Sequence, residues 1–163
     1  MIERITAPSA RKGFVPPKVG NSWASSPTIR RVMQGNRSRD TKPEIAVRRL
    51  LHARGHRYRI HLRPVDDLNR RADIVFTRSL LAVFVDGCFW HGCPKHFTPP
   101  ATHKKYWLDK IATNRARDAE TSRILRRRGW TVIRIWEHQA PLDAVKRVER
   151  ALALAKTSQR SAG

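Results

Sequence analysis

The chain has 163 residues, with 34 Lys and Arg against 13 Asp and Glu, a formal net charge of +21. That length is about one domain's worth, and the basic excess goes far beyond what solubility requires, calling for a polyanionic partner, nucleic acid first. No apolar run approaches the roughly 20 residues of a membrane span, the N-terminus lacks the apolar stretch of a signal peptide, and two cysteines make no disulfide framework, so a soluble chain in a reducing compartment is expected.

Residues 1–26 mix Pro, Ser, Gly and basic residues without periodicity and read as a flexible basic arm. The segment "TIRRVMQGN" reads as a short helix closed by Gly35, and "DTKPEIAVRRLLHARG" as a longer one with Thr41 and Glu44 as a capping box and Gly55 as its stop. Ile45, Val47, Leu50 and Leu51 give that helix its apolar stripe. Three strands follow. "RYRIHLR" alternates with Tyr58, Ile60 and Leu62 on one face, "ADIVF" is a short apolar run, and "LLAVFVDG" reads as a central strand buried on both faces. "KYWLDKIATNRARDAETSRILRRRG" is a long helix ending at Gly129, "WTVIRIWE" a strand, and residues 141–156 a last helix before a disordered tail, 157–163. This order predicts an α/β domain over residues 27–156, one sheet covered by helices.

Between the third strand and the long helix stands "DGCFWHGCPKHF", residues 86–97. Cys88, Cys93 and His96 form C-x4-C-x2-H, a spacing that can gather soft ligands around zinc, and His138 at the end of the last strand could supply the fourth. Two small buried cysteines beside solvent-facing histidines is the competing reading. His91, between the cysteines, could act as a general base if acids gather near it. The candidates are Asp73, Asp86, Glu44 and Asp118, which in so basic a chain suit Mg²⁺ held against phosphodiester oxygens. Alone, Glu44 reads equally as a helix cap and Asp118 as an exposed helix ion pair. Phe89, Trp90 and Trp107 could stack on bases or wedge between base steps, or one of the first pair could be core.

"SRDTKPEIAVRRLL", "RADIVF", "DGCFWHGCPKHF", "YWLDKI", "NRARD" and "RRGWTVIRIWEH", in this order and spacing, closely resemble the very-short-patch repair (Vsr) DNA mismatch endonucleases over about residues 27–150. The resemblance implies a restriction-endonuclease-like, PD-(D/E)XK-type fold without the usual E-x-K signature, with a central mixed sheet flanked by helices. It implies a bacterial, cytoplasmic and nucleoid-associated monomer that nicks one strand of double-stranded DNA beside T:G mismatches left by 5-methylcytosine deamination, in company with mismatch-repair proteins. Asp73 then ligates catalytic Mg²⁺ with the Val85 backbone carbonyl, His91 is the general base, and Glu44 and Asp118 hold water around the metal. Phe89, Trp90 and Trp107 intercalate next to the mismatch, and Cys88, Cys93, His96 and His138 hold a structural zinc. Asp86 stands where a relative has histidine, which leaves its part open. His138 replaces a cysteine, and His96 lies farther from Cys93 than the corresponding ligand does in that relative.

Two other readings compete. One is a zinc-stabilised DNA-binding module without chemistry, which the charge and the Cys/His loop alone would satisfy. The other is a related nuclease of different target.

Overall fold

The computed structural model of the protein describes residues 39–160. The expected arm 1–26, the short helix in "TIRRVMQGN" and the last three residues of the tail lie outside the described residues. Among them the elements run α1 (Lys42–Ala53), β1 (Arg59–Leu62), β2 (Ala72–Phe76), β3 (Leu81–Asp86), α2 (Lys104–Arg127), β4 (Thr131–Trp136) and α3 (Pro141–Arg160). α3 extends beyond the sequence estimate, taking residues 157–160 from the expected tail.

The strands form one mixed sheet in the order β1-β2-β3-β4. β1, β2 and β3 are successively antiparallel, whereas β4 lies parallel to β3 in register Phe84↔Arg134 and Asp86↔Trp136. A parallel pair needs a crossover, and α2 is that crossover. β3 is thus paired on both edges and, as its unbroken apolar run predicts, nearly every residue in it is buried.

Side-chain alternation divides the core between the two sheet faces. Ile74, Phe76, Leu81, Val83, Ile133 and Ile135 pack against Val47 and Leu51 of α1 and Val145, Val148 and Leu152 of α3. On the other face, Val75, Ala82 and Phe84 pack with Leu125 of α2 and with Trp130. α2 turns Trp107, Ile111, Asn114, Ser122 and Leu125 inward. With Asp118 counted among them, the steps are four, three, four, four and three, those of one helical face.

Two local expectations differ from the structure. Tyr58 packs on the α1/α3 face and Leu62 on the opposite one, while Ile60 is 47% exposed. The alternation breaks at His61, whose φ of 48° turns the strand in the left-handed region. At the start of α1, Thr41 makes no side-chain cap to the helix backbone. Its hydroxyl donates instead to Glu44 Oε1 at 2.9 Å, and Glu44 Oε2 accepts the Asp40 N–H at 2.9 Å and Arg48 Nη2 at 2.8 Å. Glu44 turns inward because Arg48, one turn on, is buried beside it.

Candidate functional site

The loop after β3 is wound in tight turns, with Cys93 N–H donating to the Cys88 carbonyl at 2.8 Å and Phe97 N–H to the Cys93 carbonyl at 3.0 Å. α2 clamps it from one side, where Asn114 Nδ2 donates to the Trp90 carbonyl at 2.9 Å. The turn after β4 clamps it from the other, where Glu137 Oε1 accepts the Cys88 N–H at 2.5 Å. Gly92 (φ 61°) touches α2 so closely that a Cβ there would lie 2.8 Å from Ile111 Cγ2.

This winding brings Cys88, Cys93, His96 and His138 into one cluster whose ligand atoms lie within 4.8 Å of one another. Cys88 Sγ is 3.1 Å from His138 Nδ1 and 3.9 Å from His96 Nδ1, and Cys93 Sγ is 3.6 and 3.8 Å from the same two atoms. Tetrahedral zinc, with Zn–S near 2.3 Å and Zn–N near 2.0 Å, places S and N roughly 3.5 Å apart. The four side chains therefore fit zinc in number, type and spacing. Both cysteines are buried, and burial pushes the Cys88 thiol up to about 12, so an anionic sulfur pair here calls for a bound cation to offset it.

On the α2 face of the sheet, at the C-terminal end of β3, a second cluster forms from Asp86, His91 and Asp118. His91 Nδ1 lies 2.5 Å from Asp118 Oδ2 and 3.9 Å from Asp86 Oδ1. With its Nδ1 proton given to Asp118, the ring keeps Nε2 as its proton-accepting atom. Arg134 of β4 lies across both carboxylates. Its Nε and Nη2 donate to Asp86 at 2.7 and 2.5 Å, Nη2 also reaches Asp118 Oδ2 at 3.1 Å, and the guanidinium stands 5.0 Å over the Phe84 ring. Burial acts to raise the Asp118 carboxyl, but the His91 hydrogen bond and the Arg134 charge together hold it below the ordinary range.

A third cluster, Asp40, Glu44 and His61, gathers at the start of α1. Here too an arginine stands in the middle. Arg48 Nη1 donates to Asp40 at 2.6 Å and Nη2 to Glu44 at 2.8 Å, with His61 Nε2 3.0 Å away. The positive φ of His61 is what delivers its ring to this group.

Asp73, near the start of β2, is subject to both acid clusters. Its Oδ2 accepts the Val85 N–H at 2.7 Å, just past the last registered β2–β3 pair, Ile74↔Val83. Burial pushes its carboxyl up to about 7; the Val85 hydrogen bond and the Arg48 charge oppose that, while the charges of Glu44 and Asp86 add to it. Among the described residues it forms no ion pair of its own, so its donor set, a half-buried carboxylate beside a strand-end backbone, fits a hard divalent cation.

Phe89, Trp90 and Trp107 pack edge to face, with centroids 5.3 Å apart for Phe89–Trp90 and Phe89–Trp107 and 6.0 Å for Trp90–Trp107. Phe89 and Trp90 are half-buried, whereas Trp107 is 7% exposed and backs them.

Residues 25–96 match the family model described as DNA mismatch endonuclease Vsr. The chain is 47% identical over 120 residues to the type II nicking enzyme V.NaeI of Lentzea aerocolonigenes, covering 72% of each chain. It is 45% identical over 114 residues to V.XorIIP of Xanthomonas oryzae pv. oryzae, covering 69% of this chain and 82% of that one. The chain belongs to the Vsr family. It is also 34% identical over 106 residues to the DNA mismatch endonuclease Vsr of Escherichia coli K12, covering 64% of this chain and 66% of that one. As a Vsr-family member it is a DNA endonuclease, a phosphodiester hydrolase. Among its described residues no helix is long and apolar enough to cross a membrane.

Besides the aromatic trio, the residues expected from sequence gather in three groups. Cys88, Cys93, His96 and His138 converge, as do His91, Asp118 and Asp86, while Glu44 joins Asp73 from across β2 through its charge. Glu44 and Asp118 are thus neither a simple cap nor a simple surface pair. Sequence reasoning about this Vsr-family chain missed Arg48, Arg134, Asp40, His61 and Asn114. For Arg134 a signal existed, an arginine set between Ile133 and Ile135 in an otherwise apolar strand beside a buried one. Asn114 likewise falls on the inward face of α2.

Proposed function

We propose that this protein nicks one strand of duplex DNA beside a T:G mismatch, by Mg²⁺-dependent hydrolysis, opening very short patch repair of deaminated 5-methylcytosine. The observation that carries this reading is the pairing of His91 with Asp118 at 2.5 Å at the same sheet end as Asp73, a half-buried carboxylate with no ion pair of its own among the described residues. The mixed sheet with its carboxylates at strand ends supports a PD-(D/E)XK-type core. Asp73 and the Val85 backbone carbonyl would hold Mg²⁺. Bound there, it supplies Lewis-acid polarisation of the phosphodiester and offsets the charge that builds on it.

The protein's own residues do the rest. His91 Nε2 takes the proton of the attacking water, and Asp118 fixes the ring and offsets its charge once protonated. Glu44 keeps acceptor capacity for a water beside Asp73, since a carboxylate has about four acceptor positions and three donors engage this one. Phe89 and Trp90 enter the base stack next to the mismatch, and Trp107 follows only by leaving its packing behind them. Zinc on Cys88, Cys93, His96 and His138 fixes the loop that carries both His91 and the aromatic pair.

The test is strand-specific nicking with Mg²⁺ of an end-labelled duplex containing one T:G pair beside its matched C:G control, wild type against Asp73→Ala. A nick in the thymine strand of the mismatched duplex alone, lost in the variant, is the expected result. Equal cutting of both duplexes would replace the mismatch target with another. Binding without cutting would overturn the reading in favour of a binding module.

A further inference from the structure

Glu44 stands at the third residue of α1, where a glutamate ordinarily caps the helix or faces water, yet it is 3% exposed and its charge acts on Asp73. The side chain that turns it inward is Arg48. This guanidinium, itself buried, donates from Nη1 to Asp40 at 2.6 Å and from Nη2 to Glu44 at 2.8 Å. The same Nη2 stands 3.0 Å from His61 Nε2 and 3.5 Å from the Asp73 backbone carbonyl. A guanidinium only donates, so His61 Nε2 accepts here and Nδ1 carries the ring proton. The two residues that flank Arg48, Asp40 (φ 58°) and His61 (φ 48°), both lie in the left-handed region. Such backbone persists only where its surroundings hold it, and it gathers at functional sites.

We propose that Arg48, clamped by Asp40 and His61, is a positioning residue that holds the Glu44 carboxylate beside Asp73 and thereby sets how readily the site takes up catalytic Mg²⁺. The proposal rests on the reading of Asp73 as a Mg²⁺ ligand and of Glu44 as a holder of water around the metal. Its support is geometric. A fork that grips Asp40 with one nitrogen and Glu44 with the other fixes where the Glu44 oxygens lie, which a point charge on a flexible stem does not. Glu44 Oε2 accepts both Arg48 and the Asp40 N–H, which leaves Oε1, engaged by the Thr41 hydroxyl alone among the described residues, to accept from a water. By charge alone Arg48 would repel a divalent cation from Asp73, so its two effects on the metal have opposite signs and can be told apart.

The test uses the full-length, zinc-loaded chain as wild type, Arg48→Lys and Arg48→Gln. Mn²⁺ uptake by the chain alone is followed by the electron paramagnetic resonance of free Mn²⁺, and the half-saturating Mg²⁺ concentration is read from single-turnover nicking of the T:G duplex. Losing a residue that orients the groups around a metal costs about 10–100-fold in affinity or activity, and Arg48→Gln is expected to raise both half-saturating concentrations by that order. Arg48→Lys, which keeps the charge without the fork, is expected to raise them less but in the same direction. Half-saturating concentrations that stay the same or fall in both variants would overturn the proposal and leave Arg48 a structural partner of α1. Should Arg48→Gln fail to fold, as loss of a buried charge partner can cause, Arg48→Lys decides alone, and wild-type values in it would overturn the proposal. In a Glu44→Gln background Arg48→Lys is expected to add nothing; a full additional effect would mean that Arg48 acts on Asp73 without Glu44, against the proposal.

One further readout involves no metal. The Asp40 N–H donates to Glu44 Oε2, so its hydrogen exchange reports where that carboxylate lies. Exchange of this amide is expected to quicken in Arg48→Lys, and wild-type protection there would overturn the proposal. This arm separates the inference from the reading beneath it. If Asp73→Ala nicks as wild type does, the assignment of Asp73 fails, whereas the Asp40 amide still decides whether Arg48 aims Glu44.

Discussion

One loop contributes to two clusters, and they achieve charge balance in different ways. Cys88, Cys93, His96 and His138 bring two sulfurs and two imidazoles together; the charge of Lys95 acts on them, but among the described residues no guanidinium bridges them. Asp86, His91 and Asp118, a few residues away, have Arg134. The difference teaches what each is for. On the zinc reading proposed above the first would tie its geometry to a bound ion, which suits a structural staple, whereas the second is balanced by a side chain that strand pairing holds in place. Asp73 is the exception among the acids of the site, a half-buried carboxylate without an ion pair, and that is where the proposed Mg²⁺ would have a charge to offset.

The largest break in the comparison is to empty the soft cluster. Structural zinc contributes on the order of 10 kcal/mol of apparent binding free energy, which in small domains is folding free energy. Stripping zinc with a strong chelator, or replacing Cys93 with Ala, is expected to abolish cooperative melting, and zinc should restore it only to the unmutated chain. Identical melting curves with and without the metal would sink the zinc assignment.

The hard cluster should break in the opposite manner, losing chemistry before stability. His91 is partly exposed and makes its main contact to Asp118, so His91→Ala leaves the core intact. Loss of a general base costs about 10²–10⁴-fold in rate, and single-turnover nicking of the mismatched duplex is expected to fall within that range while the melting temperature stays within a few degrees. A variant that nicks at the wild-type rate would remove His91 from the mechanism.

The two clusters were also unequally legible in the sequence. Three of the four soft ligands lie within nine residues, so spacing alone suggests them, and the fourth follows once the last strand is placed beside β3. Asp118 was legible in part, through the inward face of α2 that also carries Trp107, Ile111, Asn114, Ser122 and Leu125. The arginines were not legible as partners. Arg134 meets Asp86 only because β3 and β4 run parallel in one particular register, and no local pattern states a register. Arg48 meets His61 only because β1 twists at that residue, through a positive φ that an alternating "RYRIHLR" gives no reason to expect. The same turn sent Tyr58 and Leu62 to opposite faces. Glu44 read as a helix cap because the capping pattern is local, while the buried charge that turned its carboxylate inward is one helical turn away.

Gly92 supplies the smallest and sharpest probe, since it lies between Cys93 of the soft cluster and His91 of the hard one. Two separate costs meet at this position. Its φ of 61° strains any L side chain by about 1–2 kcal/mol, and a Cβ 2.8 Å from Ile111 Cγ2 adds an overpacking cost of about 1–3 kcal/mol, because Ile111 is itself buried. Gly55 separates the two, having a φ of 81° and nothing within 4 Å of an added Cβ. Gly55→Ala is therefore expected to lose only the backbone part, measured by denaturant melting of the zinc-loaded chain, and Gly92→Ala the sum. If the loop yields to relieve the contact, it moves His91 away from Asp118, and nicking falls by more than the stability loss explains. Equal stability losses in the two variants, with nicking unchanged, would mean that α2 does not hold the loop at this point and that the zinc cluster alone positions the base.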